Sequence, residues 1–130
     1  MLQMPMCEVF DKYTIALLKC ERIDDPAERA GLDAQLRYYA AAAEPLLASR
    51  PGLRPLVEKL RQINGRMWDA EAAIRAADEH HLGLEEVGRR ALVIRDLNRT
   101  RVAVKNQISD HFHEVFRDVK VNYAGGDEGQ

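Results

Sequence analysis

A chain of 130 residues with 46% hydrophobic and 31% charged residues has the size and composition of one ordinary globular domain. Its formal net charge of −2 offers no basic field to a nucleic-acid polymer or an anionic membrane, so any affinity for phosphate must be local. No apolar run is long enough to cross a bilayer, and the opening MLQMPMCEVF lacks the basic start of a secretory signal.

Aromatic residues are few, while Ala, Leu, Arg and Glu are plentiful, which favours helix over sheet. A loose lead-in ends at Pro5, and a first helix is expected from about Glu8 to Ile23. Its inward stripe is Val9, Tyr13, Ala16, Cys20 and Ile23, widened by Phe10 and Leu17. Another face carries Lys12, Ile15, Lys19 and Arg22 at three-four spacing, either a solvated cationic face or part of an anion site. Cys7 and Cys20 would lie roughly 20 Å apart along one helix, too far for a disulfide. Reduced thiols and a cytoplasmic location are the simplest reading.

Asp24-Asp25-Pro26-Ala27-Glu28 is a helix-start signal, with an Asp cap, Pro in the first turn and an acid behind it. The second helix then turns Leu32, Leu36, Tyr39, Ala43 and Leu46 inward, and Pro45 is expected to kink or restart it. Ser49-Arg50-Pro51-Gly52 reads as a loop. A third helix begins near Arg54-Pro55 and runs to about Glu79, with Leu56, Leu60, Ile63, Met67, Ala70, Ile74 and Ala77 as its seam. Beside that seam lie Asn64, Trp68, Glu71 and Arg75 on one flank. After His80-His81-Leu82-Gly83 a fourth helix spans Leu84 to about Val121, bent or broken near Gly88. Its stripe starts with apolar Leu84, Val87, Ala91 and Ile94, and ends with apolar Ile108, Phe112, Val115 and Val119. The centre is polar: Asn98, Arg101 and Lys105. Groups of that kind at core positions are paired, wet or part of a site.

The expected fold is therefore all-α: a four-helix antiparallel bundle, or paired helical hairpins that form a homo-oligomer. Residues 1–123 make one helical domain and 124–130 a disordered tail. With the third and fourth helices antiparallel, Glu71 and Arg101 come level.

Three blocks of sequence carry a resemblance. Asp11-Lys12-Tyr13-Thr14-Ile15, followed by Lys19-Cys20-Glu21-Arg22-Ile23, matches D-K-x-T-I and K-x-x-R-I; Asn64 to Arg75 follows N-x-x-L-W-x-x-E-D-x-x-R; and Asn98, Arg101 and Lys105 follow N-x-x-R-x-x-x-K. Lys120 and Tyr123 correspond loosely to a closing K-S-Y. The chain thereby resembles a family of small helical bacterial proteins associated with surface-polysaccharide and glycosyltransferase genes, whose biochemical activity is uncharacterised. It departs from that pattern at Ala72, where the family has a second acid, and at Val93-Ile94-Arg95, which replace an aromatic-containing stretch.

The candidate set joins cations (Lys12, Lys19, Arg75, Arg101, Lys105), amides (Asn64, Asn98), the indole of Trp68 and the carboxylate of Glu71. Guanidinium and ammonium groups suit phosphate or carboxylate, and an amide with an indole suits a base or sugar. The expected function is binding of an anionic, phosphate-bearing small molecule such as a nucleotide, nucleotide signal or nucleotide-sugar. Glu71 would contact a hydroxyl or act as general base. A magnesium-dependent nucleotide pyrophosphohydrolase is the alternative enzyme, although only Glu8-x-x-Asp11 matches half of its acidic signature. His80, His81, His111 and His113 are not at metal-chelating spacing, so no metal ligand is assigned. The non-enzymatic alternative is a helical dimer or scaffold in which the polar seam is structural, with Glu71 and Arg75 an ordinary helix-surface pair.

Overall fold

The computed structural model describes residues 4–79 and 83–112, with the side chains of 77–79 outside the description. Among the described residues there are four helices: α1 (Met6–Arg22), α2 (Arg29–Ser49), α3 (Leu53–Glu79) and α4 (Leu84–His111). The all-helical expectation holds, and the helices pack as a bundle. The outer end of the fourth helix toward Val121, the Lys120 and Tyr123 positions, His80, His81 and His113, and the tail 124–130 lie outside the described residues.

Helix ends follow local chemistry, with some corrections. Pro5, extended at φ −60° and ψ 152°, opens α1 two residues earlier than expected; its carbonyl accepts from the Glu8 and Val9 amides at 3.0 and 3.1 Å. The Asp25 signal works over a shorter distance than a full helix start. Asp25 Oδ1 accepts from the Ala27 amide at 2.9 Å. The bonds from Glu28 to Asp25 and from Arg29 to Pro26 close a single turn, and regular helix begins only at Arg29. Arg29 then donates to the carbonyls of Cys20 at 3.2 Å and Ile23 at 2.7 Å, covering the open end of α1 with a cation. Pro45 does not end α2, which continues to Ser49; the carbonyl it deprives of a partner belongs to exposed Ala41, where water can reach it. Gly88 does not break α4 either.

The core lies where the start of α1, the end of α2, the start of α3 and the end of α4 meet. Cys7, Phe10 and Tyr13 pack there with Ala43, Leu47, Leu53, Val57, Leu60, Ile63, Val104 and Ile108. Burying each of the larger of these side chains contributes about 1.5–3 kcal/mol. The expected inward residues of α2 shift slightly: Ala43 and Leu47 are buried, while Leu32, Leu36, Tyr39 and Leu46 are half-buried because α2 packs chiefly against α1.

Helices α3 and α4 form a long antiparallel hairpin that outruns α1. Between Arg66 and Arg101 none of the described side chains is buried. Ala70 and Ile74 are half-buried there, while Leu84 and Ala91, expected in the core seam, are exposed. The periodicity of α4 correctly marks one face, but only its second half meets a third helix.

Candidate functional site

On α1, Glu8, Asp11 and Thr14 recur every three residues and so share a face. That face meets Asn64 of α3 and Asn98, Arg101 and Lys105 of α4. The guanidinium of Arg101 holds the Asp11 carboxylate by two edges: Nε donates to Oδ1 at 3.1 Å, and Nη2 donates to Oδ2. Asn64 Nδ2 donates to the same Oδ1 at 2.9 Å and to Thr14 Oγ1 at 3.0 Å. Thr14 in turn donates to the Asp11 carbonyl at 2.8 Å. Arg101 Nη1 donates to Asn98 Oδ1 at 3.2 Å. One turn further along α4, Lys105 Nζ lies 2.5 Å from Glu8 Oε1 and 3.9 Å from Asp11 Oδ2.

Asp11 and Lys105 are each only 3% exposed, so charges in the network have left water. Such desolvation is tolerated only where partners and hydrogen bonds are complete. Two carboxylates face two cations; the Asn64 amide adds a further donor to the Asp11 carboxylate, the Thr14 hydroxyl donates to the Asp11 backbone carbonyl, and Asn98 accepts from Arg101. The polar centre of the α4 stripe is thus explained: it faces an acidic turn on α1.

Beside this network lies a cavity of about 310 Å³, lined by Ile15, Leu18, Asn64, Met67, Trp68, Glu71 and Arg101. Its volume is at the small end of the ~300–1,000 Å³ usual for ligand sites, enough for a ring-sized moiety. The walls are mostly apolar, with polar groups at Asn64, Glu71 and Arg101. Trp68 is half-buried, and the Arg22 guanidinium carbon stands 5.9 Å from its ring centroid. Arg22 is held there by Asp69 at 2.6 Å and by the Gly65 carbonyl at 3.3 Å. Glu71 is exposed at the cavity's edge, where its carboxylate can accept a hydrogen bond from a ligand hydroxyl.

The three sequence blocks therefore converge at one place. Asn64, Asn98, Arg101 and Lys105 are brought together in the network; Asn64, Trp68, Glu71 and Arg101 share the cavity. Lys19 lies elsewhere, in a groove between α1 and α2 lined by Ile23, Ala27 and Leu32 among others. Lys12 is half-buried on α1 and Arg75 is exposed on α3; neither belongs to the network or lines the cavity. Lys105, expected to face a ligand, points instead into the protein at Glu8 and Asp11. Glu8, Asp11 and Thr14 are the site residues that sequence reasoning left out. Their signal was present: an acidic pair on α1 spaced three apart, matching a basic pair on α4 spaced four apart.

Among the described residues no group of three or more His, Cys, Asp or Glu side chains is gathered to hold a metal ion, and no helix is long and apolar enough to cross a membrane. Comparison with family models, with curated proteins and with solved structures finds no match to this chain. The functional reading rests on the geometry of the network and its cavity.

Proposed function

We propose that this protein binds a small anionic molecule between α1, α3 and α4, with a planar ring against Trp68 and its anionic group at Arg101. A nucleotide, a nucleotide signal or a nucleotide-sugar has that chemistry, and the cavity volume suits its ring rather than the whole molecule. The observation that carries the reading is the double role of Arg101, which belongs to the buried network and also forms the cavity wall. Asp11 and Asn98 hold its guanidinium in place, so a ligand meets a preorganised donor. Glu71 would accept a ribose or sugar hydroxyl, and is the residue assigned as base if the ligand is turned over. A magnesium-dependent hydrolase is less well supported, because Glu8 and Asp11 are engaged by Lys105 and Arg101. Cys7 and Cys20 are not joined by a disulfide, in keeping with a reducing, cytoplasmic compartment.

Trp68 is the single tryptophan of the chain, so its fluorescence reports on the cavity without a label. Titration with nucleotides, cyclic nucleotides, nucleotide-sugars and sugar phosphates, with and without magnesium, should give a saturable change for one class. At a hundred times the dissociation constant that ligand should add about 2.7 kcal/mol of apparent stability. Ile15→Phe, which fills cavity space without touching the ion network, should abolish both signals. A flat panel overturns the proposal.

A second reading is favoured by one observation, the reciprocal pairing of Asp11 and Glu8 with Arg101 and Lys105. The polar seam would then be structural, and the chain a self-associating helical scaffold.

A further inference from the structure

Asn64 lines the cavity and is only 7% exposed, yet its amide is bonded on one side alone. Nδ2 donates one hydrogen to Asp11 Oδ1 at 2.9 Å and the other to Thr14 Oγ1 at 3.0 Å. These two bonds fix which way the amide lies. A carboxylate only accepts, and Thr14 has already given its own hydrogen to the Asp11 carbonyl at 2.8 Å. Turning the amide over would set its oxygen against two acceptors. Oδ1 is therefore held on the side away from Asp11 and Thr14, and no side chain among the described residues donates to it. The polar side-chain atoms there that are both sealed from solvent and unpartnered are Ser109 Oγ and His111 Nδ1. Asn64 Oδ1 is not one of them, so it opens to solvent, and the cavity is where it does so.

We infer that Asn64 Oδ1 is the specificity-determining acceptor of the cavity, and that the ring it admits carries an exocyclic amino group on the facing edge. This rests on the reading of the cavity as a ligand site. Asn64, Trp68 and Glu71 follow at steps of four and three along α3, so they share a face with neighbours about 5–6 Å apart. A ring laid against the indole presents an edge one helix turn back, to Asn64. Burial falls in the same order, from buried Asn64 through half-buried Trp68 to exposed Glu71. The ring edge is thus at the floor and the hydroxyls of a sugar at the rim. Glu71 also accepts, but water competes for it there, so it discriminates weakly. At the floor the balance differs. Water can satisfy Oδ1 while the cavity is empty, and a ring that displaces this water must supply the hydrogen itself. A keto oxygen or a bare C–H on that edge leaves the acceptor unpaired. Adenine, cytosine and guanine carry the amine, whereas in uracil the ring N–H is recessed between two keto oxygens.

Trp68 fluorescence on the full chain tests this with nucleotide pairs that differ by the amino group. The pairs are AMP against purine riboside monophosphate, CMP against the 2-pyrimidinone nucleotide, and GMP against IMP, with UMP alongside. The amino member of the pair that fits should bind about tenfold to a hundredfold tighter than its partner, and tighter than UMP. Asn64→Leu removes the acceptor together with two bonds of the network. With wild-type circular dichroism, this variant should bind both members of that pair about equally; if it does not fold, the ligand pairs on the wild type decide alone. Saturable binding with equal affinities within every pair, or with UMP the tightest, overturns the inference and leaves the cavity a ligand site. A folded Asn64→Leu that keeps the preference overturns it by placing the discrimination elsewhere. No binding of any nucleotide overturns both this inference and the reading it rests on.

Discussion

Replacing Asp11 by Asn keeps the side chain's shape and removes its charge from the centre of the network. The carboxylate accepts two bonds from Arg101 and one from Asn64, and lies 3.9 Å from Lys105. In the variant Arg101 loses the Asp11 carboxylate, and Lys105 keeps Glu8. Breaking a buried pair from one side costs about 3–5 kcal/mol. The Arg101 side chain retains 22% exposure, so water offsets part of the loss and the lower end of the range, about 3 kcal/mol, is expected. Arg101→Met should cost a similar amount, since it leaves the 3%-exposed Asp11 carboxylate with Asn64 and a distant Lys105. Once both charges are gone, the double variant Asp11→Asn/Arg101→Met should be more stable than the two single losses added together, by about 2 kcal/mol or more. Urea denaturation followed by circular dichroism measures all four proteins, and an unchanged slope shows that the change is one of stability. Single losses below about 1 kcal/mol that simply add would refute the network as a structural centre.

Tyr13 carries a pH prediction. Burial, then the nearby Glu44 carboxylate with which its hydroxyl bonds at 3.5 Å, raises its pKa above the ordinary 10.0. A group whose folded pKa is raised contributes stability that is present below the unfolded pKa and lost as pH rises through the folded one. Melting temperature should therefore fall above pH 10.0, and Tyr13→Phe should flatten that fall. Ser109 is fully buried on α4 with an Oγ that finds no hydrogen-bond partner among the described residues. Ser109→Ala should be neutral or stabilising by up to about 1 kcal/mol in chemical denaturation, and a loss of more than that would mean the hydroxyl has a partner. Gly31 on α2 has open space around it, whereas a Cβ at Gly65 on α3 would stand 3.1 Å from Arg22 Nη2. Gly31→Ala should add about 0.5–1 kcal/mol, and Gly65→Ala should gain less because Arg22 must shift from its seat by Trp68. Equal gains would show that Arg22 is not held there.

Much of this protein is legible without coordinates. The three-four spacing of Phe10, Tyr13, Leu60, Ile63 and Ile108 is a local property of helices, and it identifies the inward faces, although buried Val104 lies beside the expected stripe of α4. The Asn98, Arg101 and Lys105 interruption is visible in the same way, because a polar run on an apolar stripe violates burial unless something answers it. What answers it could not be read along the chain. Asp11 and Arg101 are ninety residues apart, and their pairing depends on α1 lying antiparallel to α4, a choice made by core packing. The same packing turns Lys105 inward to Glu8, directs Lys19 to the α1–α2 groove, and leaves Arg75 in solvent. Periodicity also stops short at Leu84 and Ala91, since it tells which face of a helix is apolar and not whether a neighbour covers it. The sequence by itself determined four helices, their faces and the polar break in the last one. Only the tertiary structure decided which charges neutralise each other, which residues remain to line a cavity, and which half of the hairpin is left open. A helix face is set by residues a few positions apart, whereas a partner is set by where distant helices come to rest.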